Sequence, residues 1–222
     1  MKRVILFSGH YGSGKTNLAV NYALRLAGEG VRTLIADLDI VNPYFRTRDS
    51  QQALDEAGVR IIVSPYANSN VDVPALPDEM YAVIDDRSYH CVIDVGGDDR
   101  GALALGRLAS ALNEENDFDM LLVVNFFRPL TRSADEVIAV KNEIECASGM
   151  RFTGIVNNSN LGVQTTLENV LSAQEKAREL AQKTGLALLA TCVKQDLASE
   201  AAKHIRNITP VTLHFREDWA IF

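Results

Sequence analysis

Gly9-His10-Tyr11-Gly12-Ser13-Gly14-Lys15-Thr16 fits the spacing G-x-x-x-x-G-K-[ST], that of a glycine-rich loop whose backbone amides wrap a chain of phosphates. It stands where that mechanism needs it, after the apolar run Arg3–Phe7, read as a strand, and before an amphipathic helix predicted over Asn17–Leu26. Glycines let the backbone turn tightly, so that successive N–H groups and the positive end of the helix face an anion. Lys15 supplies a compact positive charge for the β- and γ-phosphates, and the Thr16 hydroxyl is a ligand for Mg²⁺. Gly9, His10, Gly12, Ser13, Gly14, Lys15, Thr16 and Asn17 are therefore the candidate nucleotide-binding residues. A glycine turn with an incidental lysine is the plainer alternative, and the flanking strand and helix argue against it.

Outward from the loop, short β-rich runs recur at Thr33–Ala36, Arg60–Val63, Cys91–Asp94, Leu121–Phe126, Gly154–Asn157 and Ala187–Val193. Several are apolar at consecutive positions, as strands covered on both faces are. Between them lie segments with helical spacing. Leu167, Val170, Leu171, Gln174, Ala177, Leu180 and Ala181 trace one stripe, with Thr165 and Glu168 at capping-box spacing before it. Ser133 and Glu136 have the same spacing before Val137, Val140 and Ile144. The alternation predicts a doubly wound α/β fold: a mostly parallel sheet of about seven strands with helices on both faces. No repeat or linker divides the chain, so residues 1–222 read as a single nucleotide-binding domain. Ser64–Pro77 reads as a long loop, and Thr209–Phe222 as a short edge strand with an apolar tail packed on its own domain.

Composition excludes broad classes. The 222 residues include 22 Lys and Arg against 29 Asp and Glu, a net −7 that argues against nucleic acid or an anionic membrane as partner. Three cysteines, at 91, 146 and 192, make neither a disulfide framework nor a CxxC metal site. The apolar run after Met1-Lys2-Arg3 is only Val4 to Phe7, too short for a secretory leader, and Met120–Phe127 is too short to span a bilayer. A soluble cytoplasmic protein is the expectation.

Carboxylates complete the candidate site. Strand Thr33–Ala36 runs into Asp37-Leu38-Asp39, an acidic pair beside the loop that can hold Mg²⁺ and orient an attacking water. Cys91–Asp94 ends on Asp94 and continues as Val95-Gly96-Gly97-Asp98-Asp99, where glycines would allow a loop to sense a γ-phosphate. Acidic residues at strand ends are also ordinary turn formers.

In this order of motifs the sequence resembles the deviant-Walker-A class of P-loop NTPases that contains MinD, ParA, the nitrogenase iron protein and CobQ/CobB-type domains. Gly154-Ile155-Val156-Asn157-Asn158-Ser159 looks like the strand end whose asparagine recognises adenine in the iron-protein branch, and Val193-Lys194-Gln195-Asp196 like the loop that closes over the base. The resemblance implies ATP and Mg²⁺ as ligands, with Thr16, Asp39 and Asp94 serving the metal, Asp39 activating water and Lys15 catalytic. Asn158 and Asp196 would face the base, while Asp37, Gly97 and Asp98 would form the switch. Asp196 is also a candidate helix N-cap. Many members carry a lysine directly after the first glycine, which crosses a dimer to the partner's nucleotide; here His10 stands there, which places a nucleotide-dependent homodimer in question. Phosphates would favour the protonated form of His10. Where the iron protein has a cluster cysteine this chain has Gly101, so no iron–sulfur cluster is expected.

The function this implies is a slow Mg²⁺-dependent ATPase acting as a nucleotide-driven switch on a protein client of unknown identity, of assembly or maturation type. The alternative is a P-loop kinase or ATP-dependent ligase acting on a small acidic metabolite, with Arg46, Arg48, Arg128 and Arg132 as candidate anion binders. A third reading is an adaptor that holds ATP without hydrolysing it.

Overall fold

The structure, a computed structural model, describes residues 1–38, 48–63, 78–97 and 99–214. Strand β1 (Val4–Ser8) feeds helix α1 (Lys15–Gly28), followed by β2 (Thr33–Leu38), α2 (Arg48–Glu56) and β3 (Arg60–Val63). A 3₁₀ turn (Asp78–Tyr81) and a short α3 (Ala82–Asp85) lead to β4 (His90–Val95), α4 (Asp99–Glu115) and β5 (Phe118–Val124). Next come α5 (Ala134–Ser148), β6 (Gly154–Asn157), a 3₁₀ turn (Gly162–Gln164) and α6 (Leu167–Thr184). The last elements are β7 (Ala187–Lys194), α7 (Gln195–Ala201) and β8 (Ile208–Val211).

The strands form one sheet in the order β3-β2-β4-β1-β5-β6-β7-β8. Every pairing is parallel, and Pro210 sits where a proline costs least, on the edge strand β8. The strand predicted from the tail is therefore present, and it makes the count eight rather than about seven. Because side chains alternate across a strand, the consecutive apolar residues of β1 serve two cores. Val4 and Leu6 pack with Leu105, Leu108 and Leu180 on the face covered by α4, α5 and α6. Ile5 and Phe7 pack with Leu18, Ala23 and Leu26 of α1 and Leu54 of α2 on the other. Both faces of β1 are thus dry, which is why it reads as a continuous rather than an alternating run. Among the described residues no helix is long and apolar enough to cross a membrane.

Helix boundaries follow their caps. Ser133 caps α5, accepting from the Glu136 amide at 3.2 Å. For α6 the capping box is shifted one residue from the expected Thr165/Glu168 pair: Thr166 and Asn169 form it. Thr165 is unavailable because its hydroxyl donates to the Gly162 carbonyl at 2.8 Å and closes the preceding turn.

Candidate functional site

All parallel strands present their C-terminal ends to one edge of the sheet, and the glycine-rich loop lies there between β1 and α1. Gly14 precedes α1 with a left-handed backbone (φ 85°) and caps it with no side chain, leaving the first amides of the helix to an external acceptor. Lys15 is buried at the first position of α1, and its Nζ donates to the His10 carbonyl at 3.2 Å. The Ser13 hydroxyl is buried and has no hydrogen-bond partner among the described residues. Burying a hydroxyl unsatisfied is unfavourable, so this oxygen fits a loop built to receive a polar ligand.

Two of the candidate acidic residues lie side by side. Asp37 of β2 and Asp94 of β4 are direct register partners, and each is 1% exposed. Asp94 Oδ2 accepts the Thr16 hydroxyl at 2.5 Å, joining the start of α1 to the end of β4. Two buried carboxylates side by side favour a cation. Mg²⁺ takes few ligands from a protein and completes its shell with phosphate and water oxygens, so a hydroxyl and a carboxylate at the loop suit it. Thr16 and Asp94 are the residues that would hold it. Asp39, Arg46 and Asp98 lie outside the described residues.

After β4, the backbone presses against the loop. A Cβ on Gly97 would fall 2.6 Å from the Tyr11 amide nitrogen and 2.8 Å from Lys15 Nζ, so only glycine permits this approach. A Cβ on Gly101, in the first turn of α4, would fall 2.6 Å from Gly96 Cα. Position 101 is thus fixed by packing: any side chain there collides with the Gly96 backbone.

Asn158, 5% exposed at the end of β6, donates from Nδ2 to the Ser13 carbonyl at 2.8 Å. Around it runs a polar network the sequence reading missed. Asn157 Oδ1 accepts the Ser159 hydroxyl at 2.7 Å, and the Ser159 hydroxyl in turn accepts the Phe126 amide at 2.9 Å. Asn125 Oδ1 accepts the amides of Phe127 and Asn160, tying the end of β5 to that of β6. Asparagines bunched just beyond two adjacent strands were the available signal.

Asn17 and Asn21, one turn apart on α1, hold the chain that follows β8. Asn17 Nδ2 and Asn21 Nδ2 donate to the Thr212 carbonyl at 3.0 and 2.8 Å. Asn21 Oδ1 accepts the Thr212 amide and Asn17 Oδ1 the His214 amide, each at 2.9 Å. The side chain of Asn17, expected at the nucleotide, is therefore committed to this strap. Beside it is an open cavity of about 310 Å³ lined by Lys194, Gln195, Asp196, Val211, Thr212 and Leu213. Asp196 belongs to the first turn of α7 rather than capping it: the N-cap position is Lys194. Its carboxylate is exposed and pairs with Lys194 Nζ at 3.3 Å.

Titration is tuned at few points. Burial, then the charge of Lys15, lowers the pKa of His10, against a smaller opposing pull from Glu143. The protein without phosphates thus favours neutral His10, opposite to the effect expected of bound phosphate. Burial pushes the Cys91 thiol up to about 11 and that of Cys192 up to about 12, which makes both unreactive core residues.

A parallel sheet wound on both faces, with a glycine-rich loop between its central strand and the first helix, is the P-loop NTPase fold. The family model for the CobQ/CobB/MinD/ParA nucleotide binding domain matches residues 4–169, about three quarters of the chain, and the protein belongs to that family. No curated protein matches the sequence. Among solved structures, the cell division protein FtsY of Thermotoga maritima is similar at 17% identity and TM-score 0.61, over 86% of this chain and 62% of that one. Chloroplast FtsY of Physcomitrella patens is similar at 16% identity and TM-score 0.57, over 86% and 58%. The FtsY of Elizabethkingia anophelis in complex with GDP is similar at 16% identity and TM-score 0.55, over 87% and 58%. The chain thus spans about three fifths of the length of these proteins, and at such identities the likeness is one of fold.

Proposed function

We propose that the protein is a Mg²⁺-dependent ATPase whose β4–α4 loop switches with the state of the nucleotide and so alters its contacts with a protein partner, either a client or a second copy of the chain. The observation that carries this reading is Gly97, packed without room for a side chain against Tyr11 and Lys15, so that a γ-phosphate arriving at Lys15 displaces or captures the loop directly. Lys15 binds the β- and γ-phosphates, the α1 amides orient them, and Thr16 and Asp94 hold the cation. Mg²⁺ neutralises the charge that develops on the transferred phosphoryl group. Water activation is assigned to Asp39, two positions after Asp37 in the sequence.

Asn158 favours ATP over GTP. One N–H of its amide is held by the Ser13 carbonyl, which orients the group, and the reading assigns Oδ1 to the base. An acceptor suits the amino group of adenine and opposes the carbonyl that guanine carries at the same place. FtsY of Elizabethkingia anophelis is described with GDP, so both bases belong in the test.

The decisive measurement is turnover of ATP and GTP with Mg²⁺ by the full chain beside Lys15→Ala. The expected result is slow ATP hydrolysis at least about 100-fold above the variant, with GTP poorer. Equal rates in the two proteins would sink the ATPase reading, and GTP preferred over ATP would overturn the role of Asn158. An ADP burst seen only on addition of an acidic metabolite would favour a kinase or ligase instead.

A further inference from the structure

The loop between β5 and α5 sends one side chain across to the phosphate loop. Arg128 Nε donates to the Gly12 carbonyl at 3.1 Å. Its stem lies flat on Gly12: a Cβ there would sit 3.4 Å from Nε and 3.6 Å from Cδ, and φ is +75° at this position. The left-handed backbone is what favours glycine at position 12, and a methyl group there would meet the arginine at ordinary contact distance.

The platform under Arg128 is built rather than incidental. The Arg128 amide donates to the Asn125 carbonyl at 3.2 Å, and the Thr131 hydroxyl donates to the same carbonyl at 2.7 Å. The Asn125 side chain holds Phe127 and Asn160 in turn. Leu130 completes the turn with φ 64°, a left-handed backbone uncommon for a residue other than glycine. Two cations thus tie the loop at alternate carbonyls: Lys15 at His10 and Arg128 at Gly12.

We propose that Arg128 is a positioning residue for the triphosphate, an in-chain substitute for the loop lysine that position 10 lacks. Gripping the Gly12 carbonyl fixes the peptide whose amide, that of Ser13, closes the loop on the His10 carbonyl at 3.2 Å, and so sets the shape of the loop and places a permanent positive charge at it. That charge matters most when the γ-phosphate is present. The inference rests on the nucleotide-binding reading above.

The test compares wild type, Arg128→Ala and Arg128→Lys as full chains. Affinities for fluorescent ADP and GDP and for their non-hydrolysable triphosphate counterparts are measured alongside kcat and KM for both triphosphates and the thermal midpoint. Arg128→Ala is expected to lose at least about tenfold in kcat and in triphosphate affinity while the affinity for diphosphate changes less than about threefold. Lysine should restore little, because it has no planar Nε–H to meet the carbonyl, whereas added guanidinium should partly rescue the alanine variant. An unchanged triphosphate preference, or parallel losses for di- and triphosphate that track a fall in thermal midpoint, would reduce Arg128 to a structural brace and overturn the proposal. A wild type that binds nucleotide without hydrolysing it leaves the affinity comparison decisive, while one that binds none overturns both this inference and the reading it rests on.

Discussion

Gly97 shows how much chemistry depends on a side chain that is not there. Gly97→Ala introduces a methyl group within 2.8 Å of Lys15 Nζ and 2.6 Å of the Tyr11 amide. The expected outcome is a fall in ATP turnover of at least about tenfold with little change in thermal midpoint, because the displaced loop is at the surface of the site rather than in the core. Steady-state kinetics and calorimetry on one preparation check both halves. His10 makes a prediction of a different sign. Its folded pKa lies below the ordinary 6.5, and bound phosphates push it upward, so nucleotide binding takes up a proton near that pH. Affinity for ATP should therefore strengthen as pH falls from 7.5 to about 6, and His10→Gln should flatten that slope. Titration of binding in buffers of differing ionisation enthalpy reads the proton directly.

At the scale of elements, the strap on α1 gives the sharpest expectation. Asn17 and Asn21 make four hydrogen bonds to Thr212 and His214. Replacing both asparagines by alanine should cost about 2 kcal/mol, taking a net value near 0.5 kcal/mol for each bond at a partly exposed site. It should also expose the Thr212 and His214 amides to rapid hydrogen exchange while β1 stays protected. Burial lowers the pKa of His214, so its contribution to stability is full above about 6.5 and is lost as pH falls below that value. The strap should loosen first on mild acidification, seen as the same two amides exchanging early. These contacts explain what could be read in advance. Strands with both faces buried and the loop motif depend on local composition, and so β1, β2, β4 and the placement of Lys15, Thr16 and Asp94 were legible. The Arg128–Gly12 and Asn17–Thr212 bonds join residues 116 and 195 positions apart, where no local spacing announces a partner. The α6 cap moved by one residue because two adjacent threonines compete for one role, and only the geometry of the preceding turn decides between them.

For the whole molecule, the central strand divides one sheet into two cores that share its backbone. Leu6 and Ile35 are fully buried on opposite faces. Truncating either to alanine should cost about 2–5 kcal/mol, and each variant should still unfold in a single transition in urea, since neither core stands without the sheet. Separate transitions for the two faces would show that the halves fold independently. The net charge of −7 acquires a location at this scale: buried carboxylates gather at the strand ends beside the loop, while Lys15 and Arg128 meet the loop itself.

The strap has a consequence for how the protein is made. A ribosome delivers the phosphate loop well before the amides that Asn17 and Asn21 grip, which lie 191 and 197 positions further along the chain. Until then the helix behind the loop keeps two asparagines turned to water, and the cavity beside Lys194 lacks the wall that Val211, Thr212 and Leu213 provide. The nascent chain therefore carries the loop motif for nearly two hundred residues before the cavity beside it is walled, and the closing of β8 and the segment after it onto α1 sets the moment at which that wall is in place.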